Sequence, residues 1–160
     1  MKVAAIQMVS GVQRDANLAR AGALLAQAAS QGAELAVLPE YFCIMGQRDT
    51  DKIPLAEADG DGVIQSFLAE TARTLGLWIV GGTQPLRSPE EAHVYNTSMA
   101  YAPTGERVAR YDKIHLFRFD NGNEQFDERR VITPGAQPVL FDLPSRDGHN
   151  WRVGMSVCYD

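Results

Sequence analysis

The residue in this chain most able to do chemistry is a cysteine at the end of a small, apolar run. Val153-Gly154-Met155-Ser156-Val157 leads directly into Cys158-Tyr159-Asp160. A strand there would deliver the thiol at its tip. A helix beginning at that point, or a lysine nearby, would favour the thiolate. Two other segments end in a reactive group in the same way. Leu35-Ala36-Val37-Leu38 stops at Pro39-Glu40, and Pro39 stiffens the approach. A carboxylate partly shielded from water can act as a base near neutral pH. Arg110-Tyr111-Asp112-Lys113-Ile114-His115-Leu116-Phe117 sets Lys113 beside alternating apolar residues. An ammonium pointing into a cleft there could hold an oxyanion. Taken singly, each segment also fits an ordinary role: a solvated loop carboxylate, a surface lysine, a buried structural cysteine. His115 fits packing against a sheet or bonding to backbone better than metal binding, since it has no partner at ligand spacing. Cys43, after Tyr41-Phe42, has no such delivery and reads as a small core residue.

The elements that must position these groups follow from periodicity. Val3 to Met8 is apolar except at Gln7 and reads as a buried strand. Asp15 is a candidate helix N-cap, Leu18, Ala21, Leu25 and Ala28 share one helical face, and Gly32 is a stop. Leu35 to Leu38 is the next strand, so the first forty or so residues form a βαβ unit with parallel pairing and a right-handed crossover. A second helix runs from about Gly62 to Leu75, with Ile64, Phe67, Leu68 and Leu75 on its apolar face, and Leu77 to Gly81 is a strand. Tyr95 to Ala102 and Arg107 to Asp112 flank Pro103-Thr104-Gly105, a hairpin signal. Residues 117 to 135 are polar, lack apolar periodicity and read as a long loop. Val139 to Leu143 and Trp151 to Val157 are the last strands. The expected class is α/β with a mixed sheet.

The chain has 160 residues, 45% hydrophobic and 22% charged, the composition of one globular domain. A net charge of −5 argues against a broad basic surface for nucleic acid or anionic membrane. No apolar run reaches the length of a membrane span, and no secretory signal pattern is present. Two cysteines make no disulfide framework, and free thiols fit a reducing, cytoplasmic compartment. No glycine-rich phosphate loop follows Gly81-Gly82. A Cys43–Cys158 redox pair lacks the Cys-x-x-Cys spacing. The last strand has no helix after it to cover it, so the 160 residues are expected to be a fragment that does not fold fully alone.

Three motifs in order resemble the nitrilase superfamily of carbon–nitrogen hydrolases. They are Leu-Pro-Glu at 38 to 40, Tyr-Asp-Lys-Ile-His-Leu-Phe at 111 to 117, and Gly-Met-Ser-Val-Cys-Tyr-Asp at 154 to 160. Val3 to Met8 is similar to that family's first strand, and the second motif is most similar to its Nit branch, which includes ω-amidases and amidases of deaminated glutathione. The resemblance implies a four-layer αββα sandwich, of which residues 1–160 would be the N-terminal part, in a homo-oligomer. It implies a catalytic set of Glu40, Lys113 and Cys158. Glu128, a few residues before Pro134-Gly135, is the implied supporting carboxylate; Glu124 has the wrong spacing. The backbone N–H of Tyr159 is the implied second oxyanion donor. The implied reaction is hydrolysis of a small carboxylate-bearing amide through a cysteine thioester, with release of ammonia and no cofactor or metal. Nitrile and N-carbamoyl hydrolysis use the same set and stay open, as does a chain that only binds or assembles with another.

Overall fold

The computed structural model describes residues 1–160. Six strands form the main sheet. Strands β1 (Val3–Ala5), β2 (Leu35–Val37) and β3 (Trp78–Val80) run parallel. The long β5 (Val94–Tyr101) is antiparallel to β3, to β4 (Gln84–Arg87) and to β6 (Arg107–Asp112), so the sheet is mixed. Helices α1 (Arg14–Ser30) and α2 (Val63–Leu75) cover one face. Leu18, Ala21, Leu25 and Ala28 are buried there with Ile64 and Leu68, as their periodicity predicts. Phe67 and Leu75 pack at the margin of the same core.

The other face meets a hairpin of β9 (Leu140–Pro144) and β10 (Asn150–Gly154). Phe141 and Leu143 of the hairpin are buried against Leu35, Ala100 and Ala109 of the sheet. Helices, sheet and hairpin are thus three stacked layers, with the hairpin standing where the sandwich's second sheet belongs. Its outer side is open, and Leu140 is 63% exposed.

Several sequence expectations need correction. β1 is three residues long and lies at the sheet edge, so Val3 is exposed rather than buried. α1 is entered from Gln13, with Asp15 in its first turn. Asn17 clamps the backbone of Gly11 and Cys43, which sets the start upstream of Asp15. The far end behaves as expected: the N–H groups of Gly32 and Ala33 bond to Ala29 and Ala28 in a Schellman pattern. Residues 117 to 135 are not one loop. They hold a hairpin, β7 (Arg118–Asp120) and β8 (Gln125–Asp127), and a 3-10 turn over Glu128–Arg130. Its strands are almost wholly exposed, so no apolar alternation marks them. Sequence periodicity marks neither β4 nor the 3-10 helix over Asp49–Leu55. β10 ends at Gly154 because its partner strand begins opposite it at Leu140. No helix is long and apolar enough to cross a membrane.

Candidate active site

Lys113 is the centre of the site. It follows β6, its N–H bonds to Asn96 at 2.9 Å, and its side chain is wholly buried. A buried ammonium needs partners, because desolvating a charge costs several kcal/mol. It has two: Glu40 Oε1 at 3.2 Å and Glu128 Oε2 at 2.9 Å. Burial alone would lower the Lys113 pKa, but these carboxylates outweigh it and the pKa is raised. The lysine is therefore a fixed cation at neutral pH.

Each partner is placed by backbone constraints. Glu40 follows β2, and the next residue, Tyr41, is left-handed at φ 51° with its N–H bonded to Thr83 Oγ1 at 2.8 Å. Gly82 packs against this corner: a Cβ there would lie 2.0 Å from the Pro39 carbonyl oxygen. Glu128 opens the 3-10 turn after β8, and its Oε2 accepts from the Phe117 N–H at 2.7 Å. Pro134-Gly135 closes the same segment onto Lys113. A Cβ at Gly135 would sit 2.1 Å from the Asp112 carbonyl oxygen, while the Gly135 N–H bonds to Lys113 O at 2.9 Å. Glu124 sits at the hairpin tip, exposed and remote from Lys113 in its bonding.

Cys158 completes the cluster. It is exposed and left-handed at φ 52°, a conformation that costs a non-glycine residue about 1–2 kcal/mol. Such strain persists only where the surroundings hold it, and it concentrates at functional positions. Cys158 and Glu40 share the wall of a cavity of about 120 Å³ with Ser156 and Thr83. Lys113 does not acidify the thiol. Desolvation of the sulfur and the negative charges of Glu40 and Glu128 push its pKa up, against the pull of Lys113. Charge balance adds to the desolvation: one ammonium already serves two carboxylates, so a thiolate would add a second net negative charge. Cys43 lies in the core, burial pushes its thiol up to about 12, and its sulfur faces the carbonyl of Thr83.

Two residues of the site escaped the sequence reading. Asn96 is fully buried in β5, and its Nδ2 donates to Glu40 Oε1 at 2.8 Å. Glu40 Oε1 therefore accepts from both Asn96 and Lys113, and the same carboxylate faces the Cys158 thiol. An Asn in the middle of an apolar strand was the available signal. Asp160 is the second. Its carboxylate accepts from Tyr111 Oη at 2.5 Å, from the N–H groups of Val157 and His115, and pairs with His115 Nδ1 at 2.9 Å. His115 is thus a partner of Asp160, not a group packed on the sheet. Asp160 ties the Cys158 turn to the segment that carries Lys113.

Burial raises the Asp160 pKa, but the Tyr111 hydroxyl and the donors of His115 and Val157 outweigh it and hold it down at about 2. A depressed carboxyl pKa stabilises the fold above the unfolded value, 3.8, and that contribution is lost as pH falls toward about 2. We expect the Val157 and His115 amide resonances to shift together with a midpoint near the folded value, and Asp160→Asn to remove that step. A midpoint at the ordinary carboxylate value would refute the clasp.

A family model described as carbon-nitrogen hydrolase matches residues 2–160. The chain belongs to the carbon-nitrogen hydrolase family. The chain is 34% identical over 166 residues to omega-amidase NIT2 of Danio rerio, covering 99% of the chain and 54% of that protein. It is 34% identical over 160 residues to the deaminated glutathione amidase of Synechocystis sp. (strain PCC 6803 / GT-S), covering 98% and 57%. Among solved structures, Saccharomyces cerevisiae Nit3, a member of branch 10 of the nitrilase superfamily, superposes with a TM-score of 0.79 at 25% identity, covering 99% of this chain and 55% of that one. The chain spans about half the length of these relatives.

Proposed function

We propose that Glu40, Lys113 and Cys158 are the catalytic set of an amidase that cleaves a small carboxylate-bearing amide through a thioester and releases ammonia. In this reading residues 1–160 are the N-terminal part of the hydrolase domain. The observation that carries it is the buried Lys113 ammonium held between Glu40 and Glu128, with the strained Cys158 turn against Glu40. The similarity to an omega-amidase and to a deaminated glutathione amidase supports the substrate class.

The raised thiol pKa makes the first step a coupled one. Cys158 Sγ attacks the amide carbonyl as Glu40, which faces the thiol, takes its proton. The developing oxyanion is held by Lys113 and by the Tyr159 N–H. The Lys113 ammonium faces Glu40 Oε1 and both oxygens of Glu128, which fix its position, and the Tyr159 N–H has no bond within the protein. Glu40 returns its proton to the departing nitrogen, so ammonia leaves and Cys158 carries the acyl group. Water then attacks the thioester with Glu40 again as base, and the carboxylic acid and free thiol are regenerated. Glu128 keeps Lys113 oriented throughout. No step calls on a metal or an organic cofactor.

The test is ammonia release by the full-length protein from α-ketoglutaramate, deaminated glutathione, a simple nitrile and an N-carbamoyl amino acid. The expected result is turnover of one or both amides at least about 100-fold faster than the other two, the scale on which a pocket's polar contacts discriminate. Preferential hydrolysis of the nitrile or the carbamoyl compound would replace the amidase reading with another reaction of the same residues.

A further inference from the structure

Strand β5 turns successive side chains to opposite faces of the sheet. Met99 and Tyr101 pack under the helices, so Asn96, Ser98 and Ala100 face the hairpin layer. Asn96 is bonded to Glu40, and Ala100 is buried against the hairpin. Ser98, between them, is only 3% exposed, yet its hydroxyl makes no hydrogen bond within the protein. Leaving a buried hydroxyl without a partner costs about 1–3 kcal/mol, so such groups are nearly always bonded. Ser98 lines the cavity of about 120 Å³ that Cys158 and Glu40 share.

Two more hydroxyls line the same cavity. Thr83 Oγ1 accepts from the Tyr41 N–H at 2.8 Å and has its own hydrogen still to donate. Ser156 makes no hydrogen bond within the protein. Glu40 supplies an acceptor: Asn96 and Lys113 hold its carboxylate, which faces the Cys158 thiol. Cavities that stay empty are apolar, and this wall brings three hydroxyls to a carboxylate and a thiol. A water needs about 10–15 Å³ and two to four polar partners, and the cavity supplies both.

We infer that Ser98 and Thr83 hold in this cavity the water that hydrolyses the Cys158 thioester, an assignment that rests on the amidase reading above. The water oxygen attacks the thioester carbonyl carbon while Glu40 takes one of the water's protons. The C–S bond then breaks, the sulfur takes that proton from Glu40, and the acid leaves with the water's oxygen. Ser98 touches the water and not the acyl group, so the first half of the reaction, from amide to thioester, does not use it.

The test is a single-turnover time course of the full-length protein, followed by intact-protein mass spectrometry. The substrate is α-ketoglutaramate or deaminated glutathione, whichever is hydrolysed faster. In Ser98→Ala the Cys158 adduct should form at the wild-type rate and decay about 10-fold more slowly, the worth of one hydrogen bond. Ser98→Thr keeps a hydroxyl and should restore most of the decay rate. Added hydroxylamine reaches the thioester from solvent, so it should divert a larger share of the acyl group to hydroxamate in Ser98→Ala than in the unmutated protein. A second measurement needs no variant: a crystal structure of the full-length protein should show an ordered water bonded to both Ser98 and Glu40. Unchanged decay or hydroxamate share in Ser98→Ala, equal slowing of adduct formation and decay, or a cavity without that water overturns the Ser98 assignment and leaves the amidase reading intact. Failure of the unmutated protein to form a Cys158 adduct or release ammonia from either amide defeats the amidase reading, and this one with it.

Discussion

Cys158→Ala in the full-length protein is expected to lower kcat by about 10⁴-fold or more, since no other group can form the acyl intermediate. Cys43→Ala is expected to keep most of the activity. The contrast follows from placement. Cys158 is exposed, left-handed and set against Glu40, whereas Cys43 is sealed in the core beside Thr83 with a thiol pushed up to about 12. Steady-state ammonia release measures both variants. Alkylation adds an independent reading: a thiol reagent should label Cys158 first, and substrate should protect it. Activity near wild type in Cys158→Ala would remove the nucleophile from the mechanism. Equal labelling of both thiols would deny that Cys158 is singled out.

Much of this site was legible in the sequence because three reactive residues each follow an apolar run. Leu35 to Leu38, the stretch before Lys113 and the stretch before Cys158 read as strands or strand ends, and the structure brings Glu40 and Lys113 into contact and sets Cys158 beside Glu40. Helix α1 was legible because its buried face repeats every three to four residues. What could not be read lacks periodicity. The β7–β8 hairpin faces water on nearly every side chain, although Asn121-Gly122 marks its turn. The 3-10 helix that carries Lys52 buries no residue fully. Asn96 and Asp160 act through contacts 56 and 45–49 residues away in sequence, which no local pattern encodes. The direction of the Cys158 pKa is not legible in the sequence for a related reason. The sequence offers a lysine to acidify the thiol, but only the fold shows that two carboxylates already share its charge.

Glu40→Gln should reduce acylation by about 10²–10⁴-fold, the usual worth of a positioned general base. The amide keeps the shape of the side chain, and its oxygen can still accept from Asn96 and Lys113. It cannot take a proton, and the thiol is not ionised in advance, so attack should stall before the thioester forms. Glu128→Gln should weaken catalysis and leave Cys158 able to acylate, since Glu128 touches Lys113 and the Phe117 N–H rather than the thiol. The most direct measurement is intact-protein mass spectrometry of samples quenched within milliseconds of mixing with an amide substrate. The wild type should show an acyl adduct that maps to Cys158 and decays as acid is released, and Glu40→Gln should show none on that timescale. An adduct on Cys158 of Glu40→Gln at the wild-type rate would contradict Glu40 as the base, and an adduct on any residue other than Cys158 would contradict the catalytic set.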